Sequence, residues 1–197
     1  MECQINELKE KAFRIATEHG WFDDEVSVTH DLALIMSEIG EAINAHRAGK
    51  FAQKEMFLKE SVTPQTHPEK HWVFCFENFI KNTFEDELAD IIIRTLTLTA
   101  RNSMELPQEL FTEEKLKKSM DNANDACGLL KREMTFPEEL FMLYEQIALL
   151  KEGEATLDYF LHLAIVVAMR RGVDIFWHIE QKMKYNELRP YKHGKEY

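Results

Sequence analysis

The sequence predicts an all-α helical bundle, and three observations carry the prediction. Through most of the chain apolar residues recur at spacings of three and four rather than two, the period of one helix face. The 7 Gly and 5 Pro fall mostly between these stretches, where they end helices. No low-complexity segment or flexible linker intervenes, and 197 residues that are 45% hydrophobic suffice to bury one core. The helices are therefore expected to pack as a single domain over 1–197.

Ile5, Leu8, Ala12, Ile15 and Ala16 share one face of a first helix, which ends near His19-Gly20, where glycine accepts the left-handed conformation that closes a helix. A second helix is expected from about Val28 to His46, stopping before Gly49. The stretch from Lys50 to Pro68 is mixed, with SVTPQTHP as its clearest loop. Glu69 to about Lys81 reads as a short helix, closed at Asn82-Thr83. From Phe84 to about Ala100, FEDELADIIIRTLTLTA is a strongly apolar helix; Thr83 suits its N-cap, and acids crowd its first turn as the helix dipole favours. Beyond Pro107 a long polar helix runs through KLKKSMDNANDACGLLK. Pro137 opens the next, EELFMLYEQIALLKEG, followed by TLDYFLHLAIVVAMRR and VDIFWHIEQKMKYNEL, which Pro190 closes before the tail YKHGKEY.

Charge and cysteine usage narrow the function. A net charge of −11 and a pI near 5.2 argue against a general binder of nucleic acid or anionic membrane, which needs a positive face. Cys3, Cys75 and Cys127 are odd in number and have no CxxC spacing, so neither a disulfide framework nor a cysteine zinc site is expected. No apolar run approaches the roughly 20 residues of a bilayer span, and a cytoplasmic protein in a reducing compartment is the expectation. An internal similarity is also visible. RNSMEL resembles RRGVDI at an offset of 69 (101 to 170), and Ile43, Arg47 and Gly49 recur as Ile147, Lys151 and Gly153 at an offset of 104 (43 to 147). A degenerate second helical repeat would explain both, as would the general likeness of amphipathic helices. In such a repeat Glu38 falls on Met142, Glu87 on Thr156 and Asp90 on Tyr159, so the second copy has lost its acids.

The acids of the first half carry the chemistry. Residues three apart on a helix lie about 60° apart, so Glu38 and Glu41 project together, as do Glu87 and Asp90, each pair beside an apolar stripe. A carboxylate drawn partly out of water costs on the order of several kcal/mol unless it is paired or binds a cation. Solvated helix surface is the plain alternative for such spacings. If the pairs meet, hard divalent cations with oxygen preference are the remedy, Mg²⁺ first and Mn²⁺ as its substitute. An ExxH spacing is missing from both helices, which argues against a ferritin-like di-iron oxidase. Near the C-terminus Lys182, Lys184, Arg189, Lys192 and Lys195 form a cationic cluster suited to phosphates, or simply to the end of a helix dipole. Divalent cation and cationic clamp together are what cleavage of a phosphoanhydride requires.

HGWF (19–22), LALIMSEIGEAINAHRAGK (32–50), ELADIIIRTL (87–96), RGVDI (171–175) and KMKYNELRPYKHGK (182–195) resemble the MazG-like all-alpha nucleoside triphosphate pyrophosphohydrolases, relatives of the dimeric dUTPases. The resemblance implies metal binding by Glu38, Glu41, Glu87 and Asp90, and hydrolysis of a (deoxy)nucleoside triphosphate to monophosphate and pyrophosphate, a nucleotide house-cleaning activity. It also implies a homodimer. Relative to simple members of that family, the chain carries extra segments at about 51–82 and 101–169. In this reading Glu38 and Glu41 are catalytic, with Glu41 orienting or deprotonating the water. Lys182, Arg189 and Lys192 hold phosphates, Trp21 and Tyr185 stack on the base, and Asn186 bonds its edge or the sugar. For Trp21 core packing is the competing expectation, and for His30, which precedes the acidic helix, a capping or surface role. A uracil-restricted dUTPase-type enzyme and a non-catalytic helical nucleotide-binding module stand as alternatives.

Overall fold

The structure is a computed structural model that describes residues 4–129 and 133–194, without the side chains of 126–129 and 193, and its regular elements are all helical. The helices are α1 (Ile5–Glu18), α2 (Val28–Arg47), α3 (Lys54–Glu60), α4 (Pro68–Phe79), α5 (Phe84–Arg101), α6 (Glu113–Leu129), α7 (Phe136–Glu152), α8 (Leu157–Arg170) and α9 (Ile175–Glu187). Short 3-10 turns at Gln108–Phe111 and Tyr191–Gly194 complete the order. The all-α expectation holds. No helix among the described residues is long and apolar enough to cross a membrane. Cys75 is a buried free thiol; Cys3 and the side chain of Cys127 lie outside the described residues.

Local sequence sets the ends of the main helices. Ser27 caps α2 by accepting the His30 backbone N–H at 3.2 Å, and Thr83 caps α5 as its position suggests. Thr135 and Glu138 form a capping box at the start of α7, with Pro137 in its first turn, where a missing N–H costs nothing. Gly49 after α2 and Gly153 after α7 both take positive φ, 67° and 76°, as helix-closing glycines do.

The α5 helix is central, packing on α1, α2, α8 and α9. That is why it is apolar almost all round: Leu88, Ala89, Ile91, Ile92 and Leu96 are each at most 2% exposed. The α2 helix also packs on α7, and α7 on α8. In the packed pairs α2–α5 and α7–α8, arginine at the end of the second helix meets an acid near the start of the first. Arg101 pairs with Asp31, while Arg170 and Arg171 close on Glu139. One continuous apolar core draws residues from both pairs and from α1, α6 and α9.

The segment 51–82 makes a second, smaller core. Its unexpected helix is α3, where the sequence showed only a mixed stretch. Phe57 of α3, Trp72, Cys75 and Phe76 of α4, Ile80 and Tyr185 of α9 bury one another. Full burial of a phenylalanine such as Phe57 or Phe76 contributes about 1.5–3 kcal/mol, which offsets the ordering of a seven-residue helix that could not persist alone. The tail folds back over the α1–α2 connection. The Lys192 backbone N–H donates to the His19 carbonyl at 2.9 Å, and the Tyr191 hydroxyl bonds Asp23. Tyr191 lies so close to Gly20 that a Cβ there would sit 2.1 Å from its ring.

Candidate functional site

The α1, α2, α5 and α9 helices enclose a pocket of about 430 Å³, with the loop after α1 and the tail at its mouth. Its lining includes every residue the sequence singled out for the site: Glu38, Glu41, Glu87 and Asp90; Lys182, Arg189 and Lys192; Trp21, Tyr185 and Asn186. His30 lines it as well. Lys184 does not; its ammonium lies 4.1 Å from the ring centre of Trp72, against the smaller core. Lys195 lies outside the described residues.

The acidic wall arises because α2 and α5 pack side by side with their acid-bearing stripes turned toward α9. One carboxylate oxygen from each of Glu38, Glu41 and Glu87 lies within 4.8 Å of the other two. Glu38 and Glu87 are 7% and 5% exposed, whereas Glu41 is open to solvent and accepts the Ser37 hydroxyl at 3.3 Å. Among the described residues the Glu87 side chain has neither a hydrogen bond nor an ion pair. Burial, and next the Asp90 charge, push its carboxyl up to about 9. The Glu38 carboxyl is raised by burial and by Asp90, against the pull of Arg94, whose Nε donates to Glu38 Oε1 at 2.6 Å.

Asp90 stands outside the three-glutamate set because a lysine holds it. Lys182 Nζ lies 2.6 Å from Asp90 Oδ2 and donates to Asp86 Oδ2 at 2.8 Å. Burial opposes that ammonium, but the two aspartates outweigh it and hold Lys182 protonated well above the usual lysine range. Asp86, 1% exposed, is pushed up to about 6 by burial despite Lys182. Lys192 pairs with Asp24 at 2.7 Å across the mouth. Tyr185 lines the pocket, but its ring stacks on Phe76, with centres 4.5 Å apart, and its hydroxyl donates to Glu77 at 2.6 Å. At 3% exposure little of that ring is left to meet a ligand. Trp21 is half-buried, and Asn186 carries a buried Oδ1 with no hydrogen-bond partner.

Two residues that hold the wall's charges in place, one lining the pocket and one behind it, were not singled out from the sequence. Arg94 falls four residues after Asp90 and seven after Glu87, so helical spacing already put it on the acid stripe. Asp86 was read as one more dipole-favoured acid of the first turn, and only the lysine brought in by α9 distinguishes it from Glu85, which accepts the Ala52 backbone N–H. The lining also includes apolar side chains, Ala12, Ile15, Ala16, Leu34, Ile93 and Leu98.

The donor set suits a hard cation. Three carboxylates without histidine or cysteine match Mg²⁺ or Mn²⁺ better than zinc or iron, and a buried carboxylate without a partner calls for positive charge. Comparison of the chain with family models, with curated proteins and with solved structures returned no match.

Proposed function

We propose that the chain is a divalent-cation-dependent nucleoside triphosphate pyrophosphohydrolase. One observation carries the reading: a three-glutamate cluster with a buried, unpartnered Glu87 shares a single pocket with the cations Arg189 and Lys192 and with several apolar side chains. Glu38, Glu41 and Glu87 would hold the cation, which when bound offsets charge on the phosphate oxygens. Arg189 and Lys192 would take the terminal phosphates, Lys192 exchanging Asp24 for them. Ala16, Leu34, Ile93 and Leu98 would keep water from the nucleoside, with Trp21 and Asn186 as its neighbours.

Water attacks the α-phosphorus, the bond from that phosphorus to the bridging oxygen of the β-phosphate breaks, and monophosphate and pyrophosphate leave. Glu41 is the member of the set open to solvent, so its carboxylate is assigned to take the proton of the attacking water. The test is pyrophosphate release from the eight common nucleoside triphosphates, with Mg²⁺ and with chelator. Metal-dependent release is expected, and the preferred base separates a broad enzyme from a uracil-restricted one. Glu38→Gln should fall to the chelator background while its circular dichroism is unchanged; full turnover by that variant would sink the assignment.

A further inference from the structure

Two cations already stand on the acids of the wall. Arg94 neutralises Glu38 and Lys182 neutralises Asp90, both at 2.6 Å. Lys182 is a fixture and no exchangeable counter-ion: it is 6% exposed, and Asp86, which binds it, is itself held by the Asn82 backbone N–H at 2.9 Å. Neither ExxE nor ExxD includes Asp86; the α5 N-terminus and α9 define it together. With those pairs made, Glu41 and Glu87 are the two carboxylates of the set that no lysine or arginine side chain pairs among the described residues. Glu87 is also the buried, unpartnered group that points to a ligand there.

Resting on the metal reading above, we infer that the nucleotide-free pocket binds one divalent cation per chain, on Glu38, Glu41 and Glu87, and that the Lys182 ammonium, tethered by Asp86, occupies the place of a second. A second divalent ion near Asp90 would have to share that carboxylate with an ammonium 2.6 Å away, and two cations on one carboxylate repel each other, the more so because the Lys182 side chain is buried. Asp86 is a positioning residue: it keeps Lys182 seated whatever Asp90 does.

The experiment counts Mn²⁺ bound to the full nucleotide-free chain, by the loss of the free-ion paramagnetic resonance signal, with calorimetry for the affinities. Wild type is expected to take one ion per chain. Lys182→Met is expected to take two. Because that variant leaves Asp86 and Asp90 facing each other without a cation, the double variant Asp86→Asn with Lys182→Met, which removes one buried charge of each sign, is titrated beside it and is also expected to take two. Two ions on wild type, or one ion on a folded lysine variant, overturns the inference and leaves the metal site standing. No ion on wild type overturns the metal reading itself.

Discussion

His178 makes the fold acid-labile through a single proton. It lies one turn before Lys182 on α9, 4% exposed, edge-on to Trp177 at 4.7 Å, and its Nδ1 has no hydrogen-bond partner. Burial, and then the Lys54 charge, hold its imidazole down at about 4; the nearby Asp174, already paired with Lys54, only partly offsets this. The folded value lies below the ordinary 6.5, so between pH 4 and 6.5 the unfolded chain binds more protons than the native one. Stability is then complete above about 6.5 and falls as the pH drops through that window. At ~1.36 kcal/mol per unit, the loss at pH 5 is roughly 2 kcal/mol, or about 4–8 °C in Tm for a chain of this size.

The assay is thermal unfolding of wild type and His178→Met from pH 7 to pH 5. Methionine fills a similar volume and has no group that takes up a proton in this range. Any packing difference appears equally at pH 7 and subtracts. The acids of the pocket have the opposite sign, since Asp86 and Glu87 are raised, and they are common to both proteins. The wild-type curve should fall below that of the variant by the stated amount as the pH reaches 5. Parallel curves would refute the argument that this histidine is buried neutral.

Glu87→Gln should raise the stability of chelator-treated protein by about 1–3 kcal/mol, because it removes a buried carboxylate that has no partner; the same change should abolish any rise in Tm on adding Mg²⁺, measured by differential scanning fluorimetry. Glu139→Gln should cost about 3–5 kcal/mol in urea unfolding, since it leaves Arg170 and Arg171 closed on an uncharged amide that is 1% exposed. A cost below 1 kcal/mol would mean that solvent already screens the two guanidinium groups.

What could be read from the sequence, and what could not, follows the range of the forces. The α2 and α5 helices and their acid stripes were legible because helical spacing is a local property: Glu38 and Glu41, or Glu87 and Asp90, share a face whatever the rest of the chain does. The α3 helix was not. Its one buried residue, Phe57, is stabilised by Trp72, Phe76 and Trp177, none of them within its own helix, so KEMFLKE has no apolar period of its own. Ion pairing was equally hidden, since the Lys182–Asp86 pair joins residues 96 apart.

Tyr185 shows where the two ranges meet. Lys182, Tyr185, Asn186 and Arg189 recur at helical spacing along one broad stripe of α9 and its extension, and all four line the pocket. A stripe that wide touches two neighbours, and α4, supplied by the segment 51–82, covers one edge of it by stacking Phe76 on Tyr185. Lys182 on the other side meets Asp86 and Asp90 of α5. The segment 51–82 therefore sets how much of α9 remains for a ligand. Asn186, whose buried Oδ1 still has no partner, is what the edge of α4 leaves uncovered.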